Sequence, residues 1–361
     1  MNRLQQIARQ REETLKAYPA LEGELTSIRK ETINNLTELM QKAQENLQAK
    51  GCKVYFTNTA KEAQELLGEI LKGQEQVVRV YSNTLKEIEL DTFLAKRNIK
   101  VNKSNIGEII AAEIKVAGQG HPVIPALGLR EEQIVKGLQS YLAASENWNP
   151  QELNRLIHQK IKAAIVKSEF GITGLNSIIA QNGTIILAED EGNARAVSNL
   201  PYRHIAVAGI EKIYETAEKA MTTLQGAAIY GLGKKVPTYF SLISGPSRTA
   251  DIEFRMAYGM HGPKEVYVIL LDNGRRELIK QGKGEFLQCV DCGACFEECA
   301  KLAKTNKWTE ITLTPKAIAL GIVQGRISKP KDDMPVNSFP CPVGIKGETM
   351  VQNLLSIKSL V

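Results

Sequence analysis

Long apolar runs, aromatic residues and a strong charge of either sign are all scarce in this sequence of 361 residues. The longest strongly apolar run is Val266–Leu271, far short of the ~20 residues that a membrane-spanning helix needs. Aromatic residues make up 6% and the net charge is only +6, so we expect no dedicated nucleic-acid surface. Hydrophobic residues at 43% and charged residues at 24% indicate a folded globular protein with a substantial core.

The start of the sequence also lacks a targeting signal. It is charged throughout, without the apolar core and small-residue cleavage site of a signal peptide. Cysteine is scarce over most of the chain, since Cys52 stands alone and the other five lie in the last quarter. A secreted disulfide framework would be shorter and more evenly cross-linked. We therefore expect a cytoplasmic protein with no integral membrane segment and with reduced or metal-bound thiols.

The apolar pattern predicts an α/β fold. Apolar residues spaced three, four, seven or eight apart predict one helix over Leu25–Leu47. Beyond it, strand-like runs alternate with helical ones, and Thr59 with Glu62 and Thr84 with Glu87 have the spacing of capping boxes. The three strands predicted here are Cys52–Phe56, Gln76–Tyr81 and Asn98–Asn102. Alternating strands and helices with short connections predict a parallel sheet with right-handed crossovers.

A helix-rich stretch, residues 130–167, precedes a second α/β portion. The strands predicted in that portion are Gly183–Ala188, Arg203–Gly209 and Glu265–Leu271. Near Gly282 the character changes to short helices, loops and cysteines. We therefore predict an α/β domain with an N-terminal helix over residues 1–281, followed by a small helical module over residues 282–361.

The strongest signal is the spacing C-x2-C-x2-C-x3-C in that module, formed by Cys289, Cys292, Cys295 and Cys299. This is the spacing with which bacterial ferredoxins bind a [4Fe–4S] cluster. Structural zinc sites instead tend to use two well-separated C-x2-C pairs. Small residues at Gly293 and Ala294 allow the backbone to close over the cluster. We predict one [4Fe–4S] cluster.

The identity of the fourth ligand is open. In the two-cluster ferredoxin pattern the fourth cysteine of the run serves the other cluster and is followed by proline. Here Cys299 is followed by alanine, whereas Cys341 is followed by Pro342. The pattern favours Cys289, Cys292, Cys295 and Cys341 as the ligands, with Cys299 left from a lost second site. The alternative makes Cys299 the fourth ligand and Cys341 a buried apolar residue.

Two segments of the α/β part are candidates for binding a ligand. Glu191, Gly192 and Asn193 follow the predicted strand Gly183–Ala188, and parallel-sheet proteins place ligands after their strands. Gly192 would let a ligand approach the backbone, and Asn193 offers a donor and an acceptor. The alternative is a plain turn, because Gly-Asn is common turn chemistry.

The second candidate segment begins at Ser244 and Gly245 and continues through Ser247 and Arg248. Small residues, hydroxyls and an arginine suit a carboxylate or phosphate at a helix start. Helix capping by a hydroxyl residue explains the same pattern. His261, in a tight His-Gly-Pro turn, is a further candidate for ligand contact.

Long motifs in this chain resemble the LUD (lactate-utilisation) domain family. The core motif spans Gly171–Ile213, and later motifs follow in the family's order at Ser244–Glu253 and His261–Arg275. The shorter segments Ile106–Ile110 and His121–Ala126 are also similar. With the ferredoxin motif behind them, the chain resembles the iron–sulphur subunits of bacterial lactate-utilisation systems. Such subunits typically have two complete cluster motifs, whereas this chain has one and a remnant.

The resemblance implies a Rossmann-like parallel or mixed sheet related to the CoA-transferase and formyltetrahydrofolate cyclo-ligase group. It also implies work beside other redox subunits that oxidise L-lactate to pyruvate, with the cluster transferring electrons. Because no flavin motif is visible, we expect the hydride-accepting chemistry to belong to a partner. The alternative hypothesis is a regulatory protein that binds a small carboxylate or phosphorylated metabolite and uses the cluster for structure or redox sensing.

Overall fold

The computed structural model describes residues 3–114, 121–142, 149–252, 255–308, 311–331 and 335–360. The strands in these ranges are β1 (Lys53–Thr57), β2 (Gln76–Arg79), β3 (Lys100–Lys103), β4 (Phe170–Gly174), β5 (Ser177–Ile179), β6 (Thr184–Glu189), β7 (Arg203–Gly209), β8 (Ile213–Tyr214), β9 (Tyr239–Ile243), β10 (Arg248–Ile252), β11 (Arg255–Tyr258) and β12 (Glu265–Leu271).

The α-helices in the same ranges are α1 (Arg3–Leu15), α2 (Leu21–Asn34), α3 (Leu36–Ala49), α4 (Ala60–Ile70), α5 (Asn83–Glu87), α6 (Leu90–Lys96), α7 (Ile106–Glu113), α8 (Glu131–Leu142), α9 (Pro150–Lys167), α10 (Asn193–Asn199), α11 (Ala217–Leu232), α12 (Arg275–Lys280), α13 (Phe296–Asn306), α14 (Pro315–Val323) and α15 (Gly347–Leu355). None of them is long and apolar enough to cross a membrane.

The centre of the fold is a six-stranded sheet in the order β1–β12–β7–β4–β2–β3, and every neighbouring pair is parallel. The interior strands β7 and β12 are buried along nearly their whole length, which explains their almost unbroken apolar sequences. The predicted α/β class and its parallel sheet are confirmed. The first strand, β1, pairs with the last, β12, at the edge opposite β3.

The strand predicted at Gly183–Ala188 exists as β6, but it lies outside the parallel sheet. It belongs to a second sheet, β8–β5–β6–β9, and is antiparallel to both of its neighbours. The central position next to β7 is taken by β4, which was not predicted. A glycine weakens a strand signal, and here Gly171 is required because a Cβ would lie 1.9 Å from the carbonyl oxygen of Val197.

The single helix predicted over Leu25–Leu47 is wrong, since the chain breaks at Asn35 into α2 and α3. The break lets the two helices bury their apolar faces in different places. Leu25 of α2 packs into the core of the C-terminal segment, whereas Leu39 and Leu47 of α3 pack into the core beneath the sheets. One continuous helix could not serve both cores.

One of the two predicted helix caps is confirmed. The Thr59 side chain accepts a hydrogen bond from the Glu62 N–H at 3.1 Å and caps α4. The capping box predicted at Thr84 and Glu87 is wrong, because Ser82 caps α5 and Glu87 lies at the end of that helix. The capping signal was therefore read two residues too late.

The C-terminal segment shares its core with the rest of the chain. Phe286, Leu302 and Leu354 belong to one apolar cluster with Leu25 of α2 and Ile229 of α11. The cluster extends to both sides of Gly282, so the segment is seated on the α/β body through a common core. The division into two domains at this position stays a prediction.

A buried network of charges joins the same two parts. Glu211, fully buried in the short 3-10 turn after β7, accepts hydrogen bonds from Arg275 Nε and from Lys316 Nζ, the latter at 2.9 Å. Lys316, in α14, also pairs with Asp291 at 2.7 Å. Arg275 makes two hydrogen bonds of 2.8 Å to Glu87. Burial alone would raise the pKa of Glu211, but the two cations hold it well below its ordinary value.

We expect Glu211→Gln to lower the free energy of unfolding by about 3–5 kcal/mol, because removing one partner leaves buried charges uncompensated. Urea unfolding followed by circular dichroism measures the change. The matched control is Glu13→Gln, which breaks a largely exposed pair with Arg9 and should leave the stability almost unchanged. Equal effects of the two substitutions would contradict a structural role for the network.

Candidate functional site

The cysteine motif forms a buried loop between the 3-10 turn Gly284–Gln288 and the start of α13. Two glycines let this loop pack closely. A Cβ on Gly293, whose φ is +86°, would lie 2.8 Å from the His121 ring, and a Cβ on Gly231 of α11 would lie 2.3 Å from the Cys292 carbonyl oxygen. A residue with a side chain at position 293 would therefore collide with the histidine ring. That small residues here let the backbone close over a cluster stays a prediction.

Polar contacts hold the two ends of this loop. The buried guanidinium of Arg29 donates to the carbonyl oxygens of Leu287 and Gln288 at 2.5 and 3.0 Å, directly before the first cysteine. Inside the loop, Asp291 pairs with Lys316 and accepts a hydrogen bond of 3.2 Å from Thr314. The loop is therefore fixed by α2 on one side and by α14 on the other.

Four cysteines line one small cavity, called the four-sulfur cavity below, whose other walls include proline and aliphatic side chains. The cysteines that line it are Cys289, Cys292, Cys295 and Cys341. Cys299 is fully buried in α13, does not line this cavity, and has its Sγ 3.7 Å from Cys295 Sγ. The structure thus places Cys341 beside the first three cysteines across 46 residues of chain. The ligand assignment itself stays a prediction.

The donor groups at this cavity are cysteine thiols, the residue type that binds iron–sulphur clusters. Within the described residues, no group of three or more His, Cys, Asp or Glu side chains converges enough to hold one metal ion. A [4Fe–4S] cluster binds four thiolates on four different irons, so its ligands stand further apart than those of one zinc ion. Burial raises the pKa of the Cys341 thiol to about 11, so ligation there would release a proton.

A second, larger cavity of about 560 Å³ lies at the carboxyl edge of the central sheet. The residues that follow β2, β4 and β7 all contribute to its wall, among them Asn83, Asn176 and Lys212. Parallel strands bring such residues together because their carboxyl ends share one edge. The wall also includes Cys289 and Cys292 of the cysteine loop. These two cysteines therefore line both cavities.

Two of the three residues predicted near position 192 reach the larger cavity. Glu191 and Asn193 line it, and they hydrogen-bond to Asn105 at 2.9 Å and to Ser104 at 3.3 Å. Gly192 is not in the wall and adopts φ +76° before α10. The segment follows an antiparallel strand, so the reason given for choosing it was wrong.

The other predicted binding residues lie elsewhere. Ser247 Oγ accepts a hydrogen bond of 3.0 Å from the His261 N–H, and Ser244 Oγ lies 3.4 Å from Thr184 Oγ1. Gly245 adopts φ +90° and packs closely against the Lys50 carbonyl oxygen. All five predicted residues of this group lie within the described part of the chain, and none of them lines either cysteine-containing cavity. The five are Ser244, Gly245, Ser247, Arg248 and His261.

The helix start predicted around Ser247 is wrong. Arg248 begins the strand β10, which pairs with β11 in a two-stranded antiparallel sheet, and its side chain is exposed. His261 is exposed as well. Ser247 and His261, which are 14 residues apart in the sequence, therefore contact each other in the structure through a hydrogen bond between loops.

Several residues of the larger cavity were not predicted as ligand-binding. Lys212, Lys316 and Asn83 line it. Lys212 does fall after a buried strand, inside the Gly171–Ile213 motif. Its position after β7 is the signal that would have found it, because strand ends of a parallel sheet face one ligand site.

Comparison with known proteins gives consistent relatives. Lactate utilization protein B of Macrococcus caseolyticus is 31% identical over 281 residues, which cover 77% of this chain and 57% of that protein. The uncharacterized electron transport protein YkgF of Escherichia coli is 29% identical over 274 residues, 75% of this chain and 56% of that protein. The chain thus spans just over half the length of the curated relatives that it matches.

A crystal structure of a duf162 family protein from Deinococcus radiodurans aligns with 65% of this chain and 98% of that chain, at 16% identity. Its TM-score of 0.33 is too low to support a conclusion. The LUD domain matches residues 40–271, more than half of the sequence. This range includes the residues after β2, β4 and β7 that line the larger cavity. The chain belongs to the LUD domain family.

Proposed function

We propose that this protein is the iron–sulphur electron-transfer component of a system that oxidises a 2-hydroxy acid, with L-lactate as the substrate and pyruvate as the product. The observation that carries the proposal is the shared wall: Cys289 and Cys292 line the four-sulfur cavity and also the larger cavity of the α/β body. The names of the relatives, a lactate utilization protein and an electron transport protein, agree with it. The proposal places the chain in the cytoplasm.

In this proposal the α/β body is a Rossmann-like fold of the CoA-transferase type, and residues 282–361 are a ferredoxin-like module. Cys289, Cys292, Cys295 and Cys341 would hold one [4Fe–4S] cluster, which accepts and releases one electron at a time when bound. Cys341 is the most exposed of the four. The side of the site near Cys341 would therefore offer an exit for electrons toward a partner, and Cys341 does not line the larger cavity.

The stoichiometry of the reaction requires that partner. Oxidation of a 2-hydroxy acid to a 2-oxo acid releases two electrons and two protons, whereas one cluster takes a single electron. Other redox subunits must therefore accept the hydride equivalent or the second electron. This chain would bind the acid and conduct electrons between such subunits.

We expect anaerobically purified protein to contain about four irons and four sulphides per chain, measured by colorimetric iron and sulphide analysis. Stoichiometric zinc without iron would contradict the proposal. Reduction of the cluster by L-lactate should occur only with the other redox subunits present. A cluster that never changes its oxidation state, together with tight metabolite binding, would favour a regulatory protein instead.

Substitution of single cysteines tests the fourth ligand. Cys341→Ser should lose most of the iron and the visible absorbance of the cluster, because a ligand at the four-sulfur cavity is removed. Cys299→Ser should keep both, since Cys299 does not line that cavity. Cys52→Ser, at a buried cysteine in the α/β body, controls for the loss of any buried thiol. Iron loss in Cys299→Ser with iron retained in Cys341→Ser would reverse the assignment.

A further inference from the structure

Most charged groups in the wall of the 560 Å³ cavity are already satisfied by the protein. Lys316 pairs with Asp291 and Glu211, and Lys234 pairs with Asp190 at 2.9 Å. These groups form closed ion pairs. They therefore have little tendency to bind a charged ligand.

The carboxylates on the opposite part of the wall are satisfied by neutral donors. Glu189 accepts the N–H groups of Ala194 and Arg195 at 2.6 and 2.7 Å, at the first turn of α10. Glu191 accepts from Asn105 Nδ2. Both carboxylates are thus used in holding loops and helix ends, not in pairing with a cation of the cavity.

Lys212 is the exception among the lysines of the wall. Its ammonium donates to the Leu175 carbonyl oxygen at 3.2 Å and lies 3.5 Å from Thr84 Oγ1. It forms no ion pair with any carboxylate in the part of the chain that the structure describes. An ammonium has three N–H donors, so at least one is left for the cavity. Burial, and to a lesser extent the nearby Lys316, lower the pKa of Lys212, although Asp291 and Glu211 act in the opposite direction.

A second unsatisfied group belongs to the same wall. The side-chain oxygen of Asn83 is buried in the same wall and has no hydrogen-bond partner in the described structure. Asn83 directly precedes Thr84, whose hydroxyl contacts Lys212. A buried acceptor without a donor is costly. Among the described residues, the wall therefore holds Lys212 as a cation without an ion pair and Asn83 as a buried acceptor without a donor. Arg3 is a further cation of this wall that forms no ion pair there.

We propose that this cavity is a binding site for a small hydroxy-carboxylate, with Lys212 holding the carboxylate and Asn83 accepting a hydrogen bond from the hydroxyl group. A 2-hydroxy acid presents these two groups on adjacent carbons. The choice of this acid class rests on the function proposed above, whereas the anionic character of the ligand rests on the charges of the wall. Bound there, the acid shares a wall with Cys289 and Cys292.

The test is calorimetric titration of the purified full-length, cluster-containing chain with L-lactate. We expect Lys212→Met to weaken binding about tenfold or more, because a hydrogen bond to a charged group is lost. Lys219→Met is the matched control. Lys219 lies outside the cavity and pairs with Glu31 and Glu215 at 2.6 Å, so its loss should leave the affinity unchanged.

Asn83→Asp keeps the proposal testable if Lys212→Met does not fold. This substitution is isosteric, and a carboxylate is favoured in the first turn of a helix. It supplies Lys212 with a counter-ion and should therefore weaken L-lactate binding strongly. Unchanged affinity in Lys212→Met, or in Asn83→Asp where Lys212→Met does not fold, would overturn the proposal. Binding of inorganic phosphate but not of L-lactate would overturn the assignment to a hydroxy acid.

Iron content and one-electron reduction, measured on the same samples, separate this inference from the proposed function. A cluster that cycles in a protein that does not bind L-lactate would refute only the binding site. Lysine-dependent binding of L-lactate in a protein without iron would refute only the electron-transfer role.

Discussion

The fully buried carboxylate of Glu211 accepts hydrogen bonds from Arg275 and Lys316, two cations that belong to different parts of the chain. Arg275 begins the helix after the last strand of the central sheet, and Lys316 lies in the C-terminal segment. Because a buried charge is tolerable only when it is paired, this carboxylate requires both parts to be in place. The pair of Lys316 with Asp291 then extends the constraint into the cysteine loop.

This constraint decides where the two cavities meet. Glu211 follows β7 at the carboxyl edge of the parallel sheet, where the ends of β2 and β4 also lie. Docking α14 and the cysteine loop against that edge makes the loop a wall of the 560 Å³ cavity. The four-sulfur cavity and the larger cavity of the α/β body are consequently neighbours, as the proposed electron transfer requires.

The sequence predicted the local elements better than their places. The strands Arg203–Gly209 and Glu265–Leu271 have the predicted bounds, since long apolar runs between turns are strong local signals. Gly183–Ala188 has the same kind of signal, yet it pairs in the second sheet, because partner choice depends on the whole chain. The helix break at Asn35 was missed for a similar reason: the apolar spacing continues through it, while the two cores that it serves are set by tertiary packing.

The sequence by itself determined the α/β class, the membership of the LUD family and the ferredoxin spacing of Cys289, Cys292 and Cys295, because each of these is encoded in short-range order. It left Cys299 and Cys341 as alternatives. Only the tertiary structure placed Cys341 at the four-sulfur cavity and moved Ser247 and His261 away from any cysteine-lined wall. It alone also showed that Lys212 forms no ion pair within the described residues, since the partners of a side chain come from distant segments that meet only when the chain folds.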